Sequence, residues 1–203
     1  MIQIKIAIIG WGSLIWDSGE LKIIKPWQPN GPKLPVEFAR ISNNGRVTLV
    51  IYLGRNDNPS PTSWALSTYD DLGDAREDLR KREVMPDFLN VHGVTKEGAP
   101  IGPPRGLTTV FSTVRDWLKK RDQLDAAIWT GLESNWEGTP EIEQPFSPIA
   151  VVAYLKGLRD EKLKLAQEYF VKAPRGIDTP VRREVIKKLG WTPAEEQGKP
   201  LAP

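Results

Sequence analysis

Ile2, Ile4, Ile6 and Ile8 alternate with Gln3, Lys5 and Ala7, and Ile9 then leads into Gly10. A period of two predicts a strand with one buried face. Gly10-Trp11-Gly12-Ser13 is a turn signal directly after it. Pro26, Pro29, Pro32 and Pro35 around Asn30-Gly31 predict a loop over 25–35. Two strands follow, over 36–42 and 47–53, with hairpin chemistry in Asn43-Asn44-Gly45 because Asn and Gly accept positive φ. After a loop from Asn56 to Pro61, residues 63–68 form a further short strand. Residues 70–83 read as a helix: Asp70 or Asp71 caps it, Leu72, Ala75 and Leu79 share one face, and Pro86 ends it. Residues 98–106 are again a loop.

A second helix spans 112–121, capped by Ser112 or Thr113, and the continuous apolar run 126–132 is a buried strand. Gly138 to Pro148 connects it to three helices near 148–157, 159–172 and 178–189. Thr179-Pro180 suits the start of the last, with Pro at the first helical position. The Pro/Gly-rich residues 190–203 form a frayed tail. Strands concentrate in the first 132 residues and helices in the last 60, which predicts an α+β fold. The expected organisation is a strand-rich domain over 1–147 and a helical C-terminal extension over 148–203, packed as one compact unit.

Composition narrows the chemistry. The 203 residues are 39% hydrophobic and 27% charged, an ordinary globular balance. Cysteine is absent and histidine occurs once, at His92. Thiolate nucleophiles, Cys-based zinc sites and two-histidine metal motifs are therefore excluded. A net charge of +2 gives no ground for nucleic acid. Between Arg159 and Lys188, nine Lys or Arg face five Asp or Glu. These are expected on solvated helix faces. The apolar stretch from Ile6 to Trp16 is too short for a membrane span, so a cytoplasmic protein without membrane or nucleic-acid partners is expected.

A strand followed by Gly10-x-Gly12 invites a dinucleotide-binding reading. It fails because Ile15 stands where the third Gly or Ala is needed. The turn still exposes successive N–H groups beside the Ser13 hydroxyl, and such groups bind carboxylates and oxyanions. A plain strand exit is the alternative.

Gly10-Trp11-Gly12-Ser13-Leu14-Ile15-Trp16 resembles the Gly-Tyr-Gly-Ser-Leu-Ile-Trp signature of the γ-glutamylcyclotransferase-like superfamily, in its ChaC-type branch. Arg46-Val47-Thr48-Leu49-Val50 is similar to a later strand of that branch. Leu79-Arg80-Lys81-Arg82-Glu83 is similar to its Leu-x-x-Arg-Glu helix end. The resemblance covers residues 4–83. It implies a small mixed β-barrel or sheet of that type over 1–147, and release of 5-oxoproline from a small γ-glutamyl amine or peptide, without metal or cofactor. It also implies that Glu83 is the catalytic acid/base and that Gly10, Trp11, Gly12, Ser13, Leu14 and Ile15 bind substrate. The substrate's own α-amine is the nucleophile. The protein's tasks are then to hold the chain folded, move protons and stabilise an oxyanion.

Two departures stand out. Trp11 replaces the family tyrosine, and Val84-Met85-Pro86-Asp87 replaces a Gly-Gly-Tyr segment. They motivate a second reading, a non-catalytic small-molecule binding module on the same scaffold. Read without the resemblance, Glu83 inside Arg-Lys-Arg-Glu is a surface charge or ion-pair partner. Glu77 is the alternative carboxylate. Trp11, Trp16 and Trp64 are candidate pocket walls or core residues, and Trp129 and Thr130 are expected in core packing. His92 is expected in a loop, and Arg175 and Asp178 at a helix junction, where they either pair or reach the site.

Overall fold

The computed structural model describes residues 4–54, 58–103, 106–140 and 142–194. Its strands are β1 (Ile6–Gly10), β2 (Ile23–Gln28), β3 (Val36–Ile41), β4 (Val47–Ile51), β5 (Ser63–Ser67), β6 (Val91–Thr95), β7 (Pro100–Ile101) and β8 (Ala126–Thr130). The helices are α1 (Leu72–Arg82), α2 (Thr108–Leu118), α3 (Pro148–Gly157), α4 (Asp160–Lys172) and α5 (Pro180–Leu189). The fold is α+β. The described strands form one open six-stranded sheet, ordered β2-β5-β1-β8-β6-β7, and a separate β3–β4 hairpin. They do not close into the expected barrel.

All five residues of β1 are buried, Ala7 and Ile9 as fully as Ile6 and Ile8, so the expected one-sided alternation does not hold. β1 lies inside the sheet, antiparallel to β5 and parallel to β8, and both of its faces are covered. Ile6, Ile8, Ala126 and Ile128 pack towards Ala75 and Leu79 of α1. Ala7, Ile9, Ala127 and Trp129 pack into the larger core with α2–α5 and the hairpin. A strand covered on both faces reads as a continuous apolar run.

Several expectations change. The loop over 25–35 contains β2, which tolerates Pro26 because it is an edge strand with an irregular register against β5. α2 begins at Thr108, four residues before the expected start. Ser112 and Thr113 donate back to the Thr109 carbonyl instead of capping. The buried face Val110, Phe111, Val114, Trp117 and Leu118 decides its position. His92 is a fully buried residue of β6, outside any loop. Trp191 is buried and meets the Phe170 ring at 5.8 Å, so the chain packs on through 194. The rest of the expected tail, 195–203, lies outside the described residues, as do 1–3, 55–57 and 104–105.

The β3–β4 hairpin forms as its sequence predicts, with Gly45 at φ +81° and a Ser42 N–H to Arg46 carbonyl bond of 2.9 Å closing the turn. Two of the three C-terminal helices begin at capped ends, Ser147-Pro148 and Thr179-Pro180, while α4 begins after Arg159 without a side-chain cap. All three join the same core as the hairpin.

Arg182 is the residue that the charge pattern misassigns. It is 2% exposed, not solvated. Its guanidinium donates to the carbonyls of Phe170, Ala173, Pro174 and Ile177 at 2.6–2.9 Å and lies over the Phe38 ring. It thus closes the C-terminal turn of α4 and ties it to α5 and β3. Burial pushes its pKa down to about 10, and it remains charged at neutral pH. Arg182→Met strips these carbonyls of a charged donor, so an unfolding free energy about 3 kcal/mol lower is expected. Urea melts measure it, and a change within about 0.5 kcal/mol, the range of ordinary surface substitutions, would refute the assignment.

Candidate active site

The exit of β1 and the end of α1 meet at one cavity of about 460 Å³. Gly10, Trp11, Gly12, Ser13 and Leu14 line one wall, and Glu83 another. Of the residues expected in the site, Ile15 does not reach this cavity. The loop turns back at this point, Ile15 N–H to Gly12 carbonyl and Asp17 N–H to Ser13 carbonyl, so Ile15 faces a second cavity together with Trp16 and Trp27.

Glu83 is placed by the way α1 ends. It follows the last helical residue and donates its N–H to the Leu79 carbonyl. Val84 N–H then bonds the Lys81 carbonyl and Met85 N–H the Arg80 carbonyl. This is a Schellman termination, which normally places glycine at the left-handed residue. Here that residue is Val84, at φ +52°, a β-branched side chain in a conformation that costs roughly 1–3 kcal/mol. The helix therefore stops by its own hydrogen bonds before Pro86 is reached.

The Glu83 side chain is 19% exposed. Burial raises its pKa above 4.5, against the pull of the Arg82 and Arg46 charges. Its basic neighbours are mostly engaged elsewhere. Arg80 bonds Glu77 and the Met85 carbonyl. Arg82 donates to the carbonyls of Asp17 and Ser18, with one nitrogen 3.4 Å from Glu83. Arg82 thereby joins the helix end to the loop. Glu77 does not line the cavity. The hydrogen bond from Arg80 holds its pKa down to about 2.

Tyr169 of α4 completes the site, and no local sequence signal marks it. Its hydroxyl accepts from Leu49 N–H at 3.2 Å and lies against the Gly12 backbone of the loop. Burial pushes its pKa up to about 12, so it keeps its proton. Its ring meets Trp16 at 5.3 Å and Phe38 at 6.3 Å. A Cβ on Gly12 would lie 2.7 Å from this hydroxyl, which is why the loop needs glycine there. Trp11 is buried, and its indole donates to the Leu49 carbonyl at 3.2 Å.

Thr130 lines the cavity while Trp129 is in the core. Trp64 donates to Asn30 and packs on Trp117, away from the site. Asp178 pairs with Arg183 at 2.9 Å, and Arg175 lines the second cavity. Arg40, Ser42, Arg46 and Thr48 also line the Glu83 cavity. The alternation Arg40-Ile41-Ser42 and Arg46-Val47-Thr48 is the signal that could have found them.

No known family model, curated protein or solved structure matches this chain. Among the described residues no helix is long and apolar enough to cross a membrane, and no three His, Asp or Glu residues group as metal ligands would.

Tyr169→Phe leaves the Leu49 amide without its acceptor. A stability loss of about 1–2 kcal/mol and exchange of that amide at least about tenfold faster are expected. Hydrogen-exchange measurements read it, and unchanged protection would show that the hydroxyl does not hold the hairpin.

Proposed function

We propose that this cavity is the active site of a γ-glutamyl cyclotransferase-type enzyme, with Glu83 as its acid/base. The observation that carries the reading is a carboxylate of raised pKa facing the Gly10–Leu14 loop across a cavity of small-molecule size. The resemblance of that loop and of the α1 end to the superfamily signature supports it. With it goes a fold of the γ-glutamylcyclotransferase-like type, inferred from loop and helix end, since the described strands leave the sheet open.

In this reading the cavity holds the γ-glutamyl chain bent, so that its α-nitrogen reaches its own γ-carbonyl carbon. Glu83 takes a proton from the α-ammonium, and the freed lone pair attacks the carbonyl. The tetrahedral oxyanion is met by loop donors such as the Ser13 hydroxyl and by the Tyr169 O–H, which retains its proton. Glu83 returns a proton to the departing nitrogen as the C–N bond breaks. The two protons shed by the attacking nitrogen are balanced by the two gained by the amine, which leaves as an ammonium ion. The products are 5-oxoproline and that amine, and no water is consumed.

A specific observation favours a second reading, a binding module without turnover. Arg82 stands 3.4 Å from the carboxylate that must act as base. Nucleic acid has little support in the basic helices. Arg182 is buried, Lys172 pairs with Glu168 and Arg183 with Asp178.

Glu83→Gln is expected to abolish 5-oxoproline release from a panel of γ-glutamyl amines and peptides while the protein stays folded. Mass spectrometry and circular dichroism measure the two. Turnover equal to the wild type removes Glu83 from the mechanism, and binding without product in the wild type favours the module. In the active enzyme, kcat/KM should fall as pH drops through a pKa above 4.5, because the base is then protonated. The same shift affects stability. A carboxyl whose pKa is raised on folding stabilises the fold below its unfolded pKa, and loses that contribution as pH rises through the folded one. Glu83→Gln should therefore be at least as stable as the wild type at pH 7.

A further inference from the structure

The tip of the β3–β4 hairpin carries a polar face that the proton transfers leave unused. Arg40 pairs across the hairpin with Thr48, and Ser42 N–H bonds the Arg46 carbonyl. These four residues alternate with Ile41 and Val47, which are buried in the core. Period-two geometry therefore turns all four to the opposite side, and all four line the Glu83 cavity.

The charges on this face exceed what a γ-glutamyl group can match. The lining holds Arg40, Arg46 and Arg82 against one carboxylate, Glu83. Arg82 is engaged with the carbonyls of Asp17 and Ser18 and with Glu83. A γ-glutamyl group brings one ammonium and one carboxylate, so it is neutral overall. Arg46 is held at its Nε by Asn44 Oδ1, 2.9 Å away, and its guanidinium lies over the Tyr169 ring. Its terminal nitrogens make no hydrogen bond to any described residue. A planar guanidinium anchored at one edge is preorganised to grip a carboxylate or phosphate with the other. Arg40 donates one nitrogen to the Glu133 carbonyl, which orients it on the same face.

We propose that this hairpin face is an anion subsite, with Arg46 and Arg40 as specificity-determining residues, and that the amine released carries a carboxylate or a phosphate. The proposal rests on the cyclotransferase reading of the cavity. Glu83 serves the reacting end of the substrate, and the hairpin reads the group that departs.

Three matched substrates test it: γ-glutamylethylamine, γ-glutamyl-β-alanine and γ-glutamyl-2-aminoethylphosphate. They share the scissile amide and differ in the charge at the far end. The wild type is expected to favour one anionic substrate over the neutral one by about thirtyfold in kcat/KM, the size of a charge-assisted contact. The preferred anion identifies the source of the charge. In Arg46→Met that ratio should fall to about threefold or less, with a smaller fall in Arg40→Met. A ratio between substrates does not move when a variant merely folds less well. Equal rates on all three, or a preference that survives both substitutions, overturns the subsite. If no substrate yields 5-oxoproline, the reaction reading has failed, and tryptophan-fluorescence titrations with the same compounds decide the subsite alone. Anion-selective binding lost in Arg46→Met supports it, and binding without selectivity, or none, overturns it.

Discussion

The Tyr169 hydroxyl accepts a hydrogen bond from Leu49 N–H and lies against Gly12, and with that one oxygen it joins α4, the loop after β1 and the second strand of the hairpin. A buried phenol can accept from an amide while its own proton is kept. Every wall of the candidate site refers to this point. Gly12 must be glycine because the oxygen is close, Trp16 packs on the ring, and Arg46 lies across it. α4 in turn is held by the Arg182 guanidinium at its C-terminal turn. A buried cation bonded to four carbonyls thus sets where a tyrosine hydroxyl can stand.

Around that anchor the site combines two kinds of tension. Val84 sits in a left-handed conformation immediately after Glu83, and Glu83 is a carboxylate whose ionised form burial disfavours. Both features work against stability, and they fall side by side at the end of α1. Strain and perturbed ionisation concentrate where a side chain must be presented in one geometry at one protonation state. The rest of the chain compensates with a sheet packed on both faces.

Division of labour follows from the topology. The sheet and α1 supply the loop and the carboxylate, and the hairpin supplies arginines. The helical C-terminal third supplies the oxygen that holds loop and hairpin in register. No single segment contains the site.

Patterns that depend on neighbours in sequence were legible. The hairpin was readable because Asn43-Asn44-Gly45 has turn chemistry of its own, and α5 because Thr179-Pro180 caps and starts a helix locally. Glu83 and the Gly10–Leu14 loop could be named as candidates because each is a short motif. What tertiary structure decided depends on groups distant in sequence. β1 is buried on both faces because α1 covers one and the hairpin with the other helices covers the other. β2 forms despite Pro26 because it falls at an edge. His92 and Arg182, polar residues with no local mark of burial, are inside because strands and carbonyls close around them. Tyr169 is one tyrosine in an amphipathic helix until α4 packs against the hairpin. Local propensity determines which elements can form, and only the packing of all of them together determines which polar atoms meet in the interior.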